Sequence, residues 1–199
     1  MHVKAQAKLK QIVSHSQEGP HLGNQYVEDV ALQTYLPLFL RLGTTVEQRI
    51  RMENDLIRFG AKCGSREYLD MCANAEDNKT VLEQFDAWGK RVDRLHTSEG
   101  WRYFKREAAK EELTSLPYRQ DEKSREYNPN ARIHQIVKLM LFQPSGGMVS
   151  CPLAMTDGAA YTLNALKSDP ANKDYWHKDL DEALDRLTSK DPSRHWTSG

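Results

Sequence analysis

Residues 128–142 read NPNARIHQIVKLMLF, and this stretch indicates the fold class more clearly than any other part of the chain. Asn128 is a good helix cap, and Pro129 suits the first helical position, where an N–H would have no partner. Apolar side chains then recur at helical spacing: Ile133, Ile136, Val137, Met140 and Leu141. Leu139 and Phe142 widen this apolar face, so we expect a helix that is nearly enclosed by the rest of the protein.

Helical patterns continue on both sides of this stretch. Thr44 and Glu47 have the spacing of a capping box, and an apolar face follows them at Met52, Leu56, Phe59 and Cys63. Thr97 is a suitable cap for a later helix. Further helices are predicted over residues 67–74, 100–113, 152–166 and 176–187. Trp88-Gly89 would interrupt any helix, and strand-type alternation is almost absent, so the sequence predicts an all-α protein.

The composition is that of a folded protein without net charge. The 199 residues include 28 basic and 28 acidic side chains, so long-range attraction of nucleic acid is not favoured. The three cysteines, Cys63, Cys72 and Cys151, are odd in number and widely spaced, which indicates reduced thiols in an intracellular protein. No apolar run approaches the roughly 18 residues of a membrane span.

Residues 1–17 contain Lys4, Lys8 and Lys10 and no acidic side chain. This pattern resembles a transit peptide only faintly, because arginine is absent and serine is sparse. We therefore expect a surface helix here.

Residue chemistry alone reveals no catalytic apparatus. Cys151 has apolar neighbours and no nearby histidine, so we interpret it as a buried small hydrophobic residue rather than a nucleophile. The seven histidines have no zinc-binding spacing, and no metal site is predicted. Gly146-Gly147 lacks the lysine of a phosphate-binding loop and is interpreted as a turn. Four carboxylates are expected on solvated faces: Asp86, Asp93, Glu111 and Glu112.

Three segments, in order, resemble the acyl-CoA dehydrogenase superfamily in its adaptive-response, AidB-like branch. They are LIRFGAKCGSR with FDAWGKRVDRLHTSEGW (residues 56–66 and 85–101), YNPNARIHQIVKLMLFQPSGG (127–147) and CPLAMTDGAAYTL (151–163). That branch has a Trp-Gly-x-Arg-Val-Asp step, an enclosed helix and a Cys-Pro-x-x-Met-Thr segment in the same order. The resemblance runs from about Asn24 to the last residue.

The resemblance implies a flavoprotein with an all-helical N-terminal domain, a middle β-barrel and a C-terminal four-helix bundle, with FAD between the last two. Family members remove a proton and a hydride from the carbons α and β to a thioester, and the flavin takes the hydride. A Trp-Thr-Ser-Gly step like residues 196–199 leads into the middle domain there. We therefore expect an N-terminal extension (1–23), a helical domain (24–195) and the start of a middle domain (196–199), inactive by themselves.

The resemblance also implies that the segment CPLAMTDGAA (151–160) lines the acyl pocket, with Met155, Thr156, Gly158 and Ala159 in its wall. Small side chains let an acyl chain approach closely, and methionine fills irregular gaps. Helix–helix packing is the alternative use of the same residues. No catalytic residue is predicted in this chain. The ligands implied for the intact parent are acyl-CoA and FAD, and FAD is not expected to be held by this portion.

Two other functions stay open from the sequence. The first is a non-catalytic helical interaction module, which would keep the helical scaffold and lose the chemistry. The second is a DNA-associated role in the alkylation response, to which the balanced charge gives little support. The parent is expected to be a homo-oligomer. An intracellular location is expected, and cytoplasm, mitochondrion and peroxisome are all compatible with the residues.

Overall fold

A computed structural model describes residues 21–40, 44–118, 129–173 and 177–198 of the chain. The surface helix predicted over residues 1–17, the predicted cap Asn128 and Trp176 of the predicted last helix lie outside these ranges. Within them the helices are α1 (Val30–Phe39), α2 (Val46–Cys63), α3 (Arg66–Asp77), α4 (Glu99–Lys110), α5 (Ala131–Phe142), α6 (Ser150–Ser168) and α7 (Lys178–Leu187). Short 3-10 turns occupy Leu116–Tyr118, Gln143–Ser145, Gly147–Val149 and Pro170–Asn172. The prediction of a helical domain is confirmed.

The core lies where α2, α3, α4 and α5 meet. Tyr68 and Phe142 both contact the ring of Phe104 edge-to-face, at centroid distances of 4.9 and 5.8 Å. Leu56 and Phe59 of α2 are completely buried in the same cluster. Fully burying a side chain of this size stabilises the fold by about 1.5–3 kcal/mol, and aromatic pairs add to that value.

Two of the predicted helix caps are displaced by one residue. The cap of α2 is Thr45, paired with Gln48 in a capping box, rather than Thr44 with Glu47. The hydroxyl of Thr44 instead accepts a hydrogen bond from Asn130 Nδ2 at 2.7 Å. Ser98, not Thr97, caps α4, because its Oγ accepts from the amide of Trp101. Two adjacent Ser or Thr residues both meet the sequence preference for a helix N-cap, and tertiary contacts determine which of them caps the helix.

The start of α5 also differs from the prediction. The helix begins at Ala131, with Asn130 in the cap position. Asn130 makes no side-chain cap hydrogen bond, and its amide is used to bind Thr44. Pro129 lies in the turn before the helix and not at its first position.

A β-hairpin replaces the helix break expected at Trp88-Gly89. Strand β1 (Val81–Phe85) pairs antiparallel with β2 (Arg91–His96), and a bulge shifts the register after Glu83. The turn is held by Asp86, whose Oδ1 accepts from the amides of Trp88 and Lys90. Gly89 has φ +79°, a conformation that favours glycine. The sequence shows no alternation of apolar and polar residues here, because most hairpin residues are exposed on both faces of the sheet.

Helix α5 is apolar in sequence, yet it buries polar side chains. Gln135 is fully buried, and its Nε2 donates to the carbonyl of Leu113 at 2.7 Å. Lys138 is only 2% exposed, whereas Ile136 and Met140 are about half exposed. Ten of the twelve residues of α5 are buried or half-buried, so the helix is nearly enclosed as expected, but the residues that are buried and the residues that are exposed differ from the apolar pattern. One side of α5 faces Asp55 on α2 and Glu111 just after α4, and on the other side Ile136 and Met140 are open to solvent.

Candidate functional site

Helix α6, which carries the segment expected to line an acyl pocket, presents an uncharged face to solvent. Asp157 is the single charged residue between Ser150 and Leu166. The exposed residues between Ser150 and Thr162 are all uncharged: Cys151, Ala154, Met155, Gly158, Tyr161 and Thr162. Solvent-facing helix surfaces usually carry charged side chains, so this face has the composition of a contact surface.

The four predicted wall residues do not share one side of α6. Met155 is half exposed, and a side chain added at Gly158 would meet nothing within 4 Å. Ala159 lies at the edge of the same exposed face. Thr156 is fully buried, facing inward. At about 100° per residue, Thr156 points roughly 160° away from Gly158 and 100° away from Met155, whereas Ala159 lies between Met155 and Thr156.

Thr156 holds the C-terminal segment against α6. Its hydroxyl donates to the carbonyl of Pro152 at 2.6 Å and accepts from the amide of Ser198 at 2.9 Å. The chain after α7 is further fixed by Trp196, whose ring lies under the guanidinium of Arg186. The last described residues are thus packed beside the helix that carries the exposed face.

A polar cluster of Tyr118, Arg132 and Asp157 fixes the orientation of α6 relative to α5. Arg132 Nη1 donates to Asp157 Oδ2 at 2.6 Å, and the Tyr118 hydroxyl donates to Asp157 Oδ1 at 2.8 Å. Arg132 Nη2 also donates to the Tyr118 oxygen. Burial, together with the neighbouring Asp157 carboxylate, raises the pKa of Tyr118 to about 12. The phenol therefore stays neutral and serves as a hydrogen-bond bridge.

A buried ion cluster joins α2, α4 and α5. Glu111, which follows α4, binds Arg58 and Lys62 from α2, and Lys62 also binds Glu107. Lys138 Nζ lies 2.8 Å from Asp55 Oδ2 and 3.2 Å from Glu111 Oε2. His134 completes the cluster with its Nε2 2.9 Å from Asp55 Oδ2. The expectation that Glu111 is solvated is wrong, because three cations on two other helices draw it inside.

The carboxyl groups of this ion cluster are held ionised. Burial alone would raise the pKa of Glu111, but hydrogen bonds from Arg58 and Lys62 and the charge of Lys138 lower it to about 2. The pKa of Asp55 likewise lies well below its usual range, because the His134 hydrogen bond and Lys138 outweigh burial. Each acid is paired with a cation, so the cluster has the character of a structural network rather than of an acid–base catalyst.

Several other candidates from the sequence occupy structural positions. Cys151 is exposed, not buried, because it starts the outward face of α6. Cys63 is buried, and burial raises the pKa of its thiol to about 12, so it is an unreactive thiol. A Cβ on Gly146 would lie 2.4 Å from the Phe142 ring, so that glycine allows close packing. Among the residues described, no three His, Cys, Asp or Glu side chains converge to hold a metal ion.

An apolar groove runs between α1 and α5, which we call the α1/α5 groove. It has a volume of about 590 Å³ and one charged lining residue, Asp29, at its end. The apolar lining residues are Ala31, Leu32, Tyr35, Leu36, Phe39, Ile133, Ile136, Val137 and Met140. Across the described ranges, no helix combines the length and the hydropathy that crossing a bilayer requires.

Comparisons with known proteins agree on one family. The family model for the adaptive response protein AidB N-terminal domain matches residues 21–185. Acyl-CoA dehydrogenase family member 11 of Caenorhabditis elegans is 42% identical over 186 residues, which cover 92% of this chain and 28% of that protein. This chain thus spans little more than a quarter of that relative's length.

Two solved structures support the same relationship. The crystal structure of Caenorhabditis elegans ACDH-11 in complex with C11-CoA is similar over 92% of this chain and 28% of that one, with a TM-score of 0.77 and 40% identity. The apo form of Bd2924 is similar over 92% of this chain and 33% of that one, with a TM-score of 0.74 and 32% identity.

Proposed function

Since this chain belongs to the AidB N-terminal domain family and is related to acyl-CoA dehydrogenases, we propose that it forms the helical N-terminal portion of an FAD-dependent oxidoreductase. The reaction of that oxidoreductase is the oxidation of a CH–CH group in an acyl thioester. The similar structure that holds C11-CoA supports an acyl-CoA as the ligand class. In this proposal residues 24–195 are the helical domain, residues 1–23 extend it, and residues 196–199 lead towards the middle domain.

The uncharged outer face of α6 is the observation that carries this proposal. Met155, Gly158 and Ala159 form one wall of the acyl site, since their small or flexible side chains leave space for an acyl chain. Thr156 contributes indirectly, because its contact with Ser198 fixes the segment that leads towards the next domain. If this face were exposed to water in the whole protein, its lack of charged residues would be unusual.

The residues described here do not by themselves fit a flavin. A dinucleotide needs backbone amides that converge on its phosphates, and the best glycine pair, Gly146-Gly147, packs against Phe142 and Ala75. We therefore assign no FAD-binding residue to this chain, and in our proposal the chain alone neither holds FAD nor oxidises a substrate. Assembly of the whole protein as an intracellular homo-oligomer belongs to the same proposal.

A chimera tests the wall assignment. The corresponding segment of the Caenorhabditis elegans relative is replaced by this chain, which the 42% identity makes feasible. We expect Gly158→Trp to weaken binding of an undecanoyl-CoA probe at least tenfold, because the indole occupies the space of the acyl chain. Gln84→Trp on the exposed hairpin is the matched control. Equal affinity of the two variants would contradict the assignment of α6 to the pocket.

A non-catalytic interaction module is the second candidate, favoured by the exposed apolar surfaces of the chain. Gel filtration and absorbance of the purified chain separate the two functions. A portion of a larger enzyme is expected to be colourless and to self-associate heterogeneously through its open apolar faces. A single sharp species with a specific protein ligand indicates the module, and a yellow, active protein contradicts both.

A further inference from the structure

Helix α6 is held against the described part of the chain by little apolar packing. Three of its 19 residues are buried: Leu153, Thr156 and Ala160. Beyond Ala160 every residue of the helix is exposed except Leu163, which is half-buried. Apolar contacts are non-directional, so a small number of them defines the rotation of a helix weakly. The position of α6 therefore depends on directional contacts, and hydrogen bonds are directional.

Tyr118 makes such contacts with a single residue of α6, Asp157. The Tyr118 oxygen lies 2.8 Å from Asp157 Oδ1 and 3.0 Å from the backbone carbonyl oxygen of the same residue. Arg132 on α5 donates to the Asp157 carboxylate and to the Tyr118 oxygen, and its guanidinium lies 5.3 Å from the centre of the Tyr118 ring. Because one contact is to a backbone carbonyl, Tyr118 restrains the main chain of α6 as well as a side chain.

The proposed wall residues are direct neighbours of this restrained position. Met155 lies two residues before Asp157 and Gly158 one residue after it. Each helical residue advances about 1.5 Å along the axis, so both lie within about 3 Å of Asp157 in that direction. A Cβ added at Gly158 would meet no atom within 4 Å, so no described atom supports the helix from outside at this point. A shift of α6 at Asp157 would therefore move the wall by a similar distance.

We propose that Tyr118 is a positioning residue for the acyl site, and that it sets the selectivity for acyl-chain length by fixing the backbone of α6 at Asp157. This inference rests on the proposed function, in which Met155, Gly158 and Ala159 form a pocket wall. A wall held in one position packs closely against a chain of one length, whereas a wall that can shift accommodates several lengths. Full burial of two methylene groups in a closely packed site changes affinity by about fifteenfold.

The chimera with the Caenorhabditis elegans relative tests this role, with Tyr118→Phe as the variant. This substitution removes the hydroxyl and keeps the ring. Dissociation constants are measured for undecanoyl-CoA and nonanoyl-CoA, which differ by two methylene groups. We expect the unchanged chimera to prefer undecanoyl-CoA by about fifteenfold. We expect Tyr118→Phe to reduce this preference to less than about fourfold, because the wall is no longer held in one position.

Thr114→Val is the matched control for a merely structural effect. The Thr114 hydroxyl donates to the carbonyl of Leu187 at 3.2 Å, so it joins the segment after α4 to α7 rather than to α6. Its removal also costs a buried hydrogen bond, and the preference for undecanoyl-CoA is expected to stay within about twofold of the unchanged chimera. An unchanged preference in Tyr118→Phe, an equal loss in Thr114→Val, or no preference in the unchanged chimera would overturn the proposal.

Gly158→Trp distinguishes failure of this inference from failure of the proposed function. If Gly158→Trp weakens undecanoyl-CoA binding and Tyr118→Phe leaves the preference unchanged, then α6 lines the pocket and the positioning role alone is wrong. If Gly158→Trp has no effect, the wall assignment is wrong and the positioning role is wrong with it.

Amide hydrogen exchange of the full chain gives a second readout that needs no ligand. Tyr118→Phe is expected to accelerate exchange at residues 153–161 at least tenfold, because α6 loses its directional contacts, and to leave α2 and α3 within about twofold. Thr114→Val is expected to leave exchange in α6 within about twofold. Acceleration that is uniform across all helices, or absent from α6, would contradict the positioning role.

Discussion

At the scale of single residues, the burial of Lys138 and Glu111 is the main departure from the polarity of the sequence. Both side chains are nearly inaccessible to water, and each has partners from two other segments. The ammonium of Lys138 also lies 4.9 Å from the centre of the Phe59 ring. Removing one partner from such a cluster leaves a buried charge without compensation, which is more costly than the loss of a surface pair.

Lys138→Met is therefore expected to lower the free energy of unfolding by about 3 kcal/mol, because Asp55 and Glu111 lose a shared cation. Urea unfolding followed by circular dichroism measures the change. Lys110→Met is the matched control, since Lys110 binds Glu107 at the exposed end of the same region. Its effect is expected to stay within about 0.5 kcal/mol. Similar losses in both variants would mean that the buried cluster has no special role.

The depressed pKa values of Glu111 and Asp55 predict a loss of stability in acid. A carboxyl whose pKa is lower in the folded state stabilises the protein above its unfolded pKa, and this contribution disappears as pH falls. For Glu111 the loss runs from about pH 4.5 down to its folded pKa of about 2. We expect the midpoint of urea unfolding to fall progressively as the pH is lowered from about 4.5 towards about 2. In Glu111→Gln this slope is expected to be shallower, and an identical slope would contradict the assignment.

At the scale of secondary structure, α6 and α4 use glycine for opposite reasons. Gly158 is on the open face of α6, where an added Cβ has no neighbour within 4 Å. Gly100 is in the first turn of α4, where a Cβ would lie 2.2 Å from the carbonyl oxygen of Met71. The first glycine therefore costs helix stability without a packing reason among the described residues, and the second is required for the contact between α3 and α4.

Gly158→Ala is expected to stabilise the isolated chain by about 0.5–1 kcal/mol, the difference in helix propensity between the two residues. Gly100→Ala is expected to destabilise it by about 2 kcal/mol, because backbone must move. Thermal unfolding of both variants measures the contrast. Destabilisation by Gly158→Ala would show that the outer face of α6 is already covered in this chain, which would count against its role as a pocket wall.

At the scale of the whole molecule, three surfaces among the described residues carry exposed apolar side chains and have been defined above: the outer face of α6, the α1/α5 groove and the hairpin. Trp88 at the hairpin tip is 90% exposed. Isolated two-stranded hairpins are marginally stable in water, so this one is also suited to contact a partner. None of the three surfaces is basic, and the chain as a whole has no net charge.

The neutral chain is expected to bind duplex DNA weakly and through phosphates alone. Fluorescence anisotropy of a labelled duplex, measured across a salt series, is expected to show no retained complex at about 0.15 M salt. An affinity for DNA that persists as the salt concentration rises would contradict this prediction. It would favour a DNA-associated role for the chain.

The sequence by itself determined the helical class, the approximate helix positions and the family, because periodicity, caps and ordered motifs are local features. It also identified the segment 151–160 that forms the start of α6. The tertiary structure alone decided which way side chains face. Glu111 and Lys138 turn inward, Cys151 turns outward, Thr156 separates from Met155 and Gly158, and Trp88-Gly89 forms a hairpin tip. The physical reason is that spacing shows which residues share a face, whereas the neighbours brought there by folding determine whether that face is charged, apolar or open.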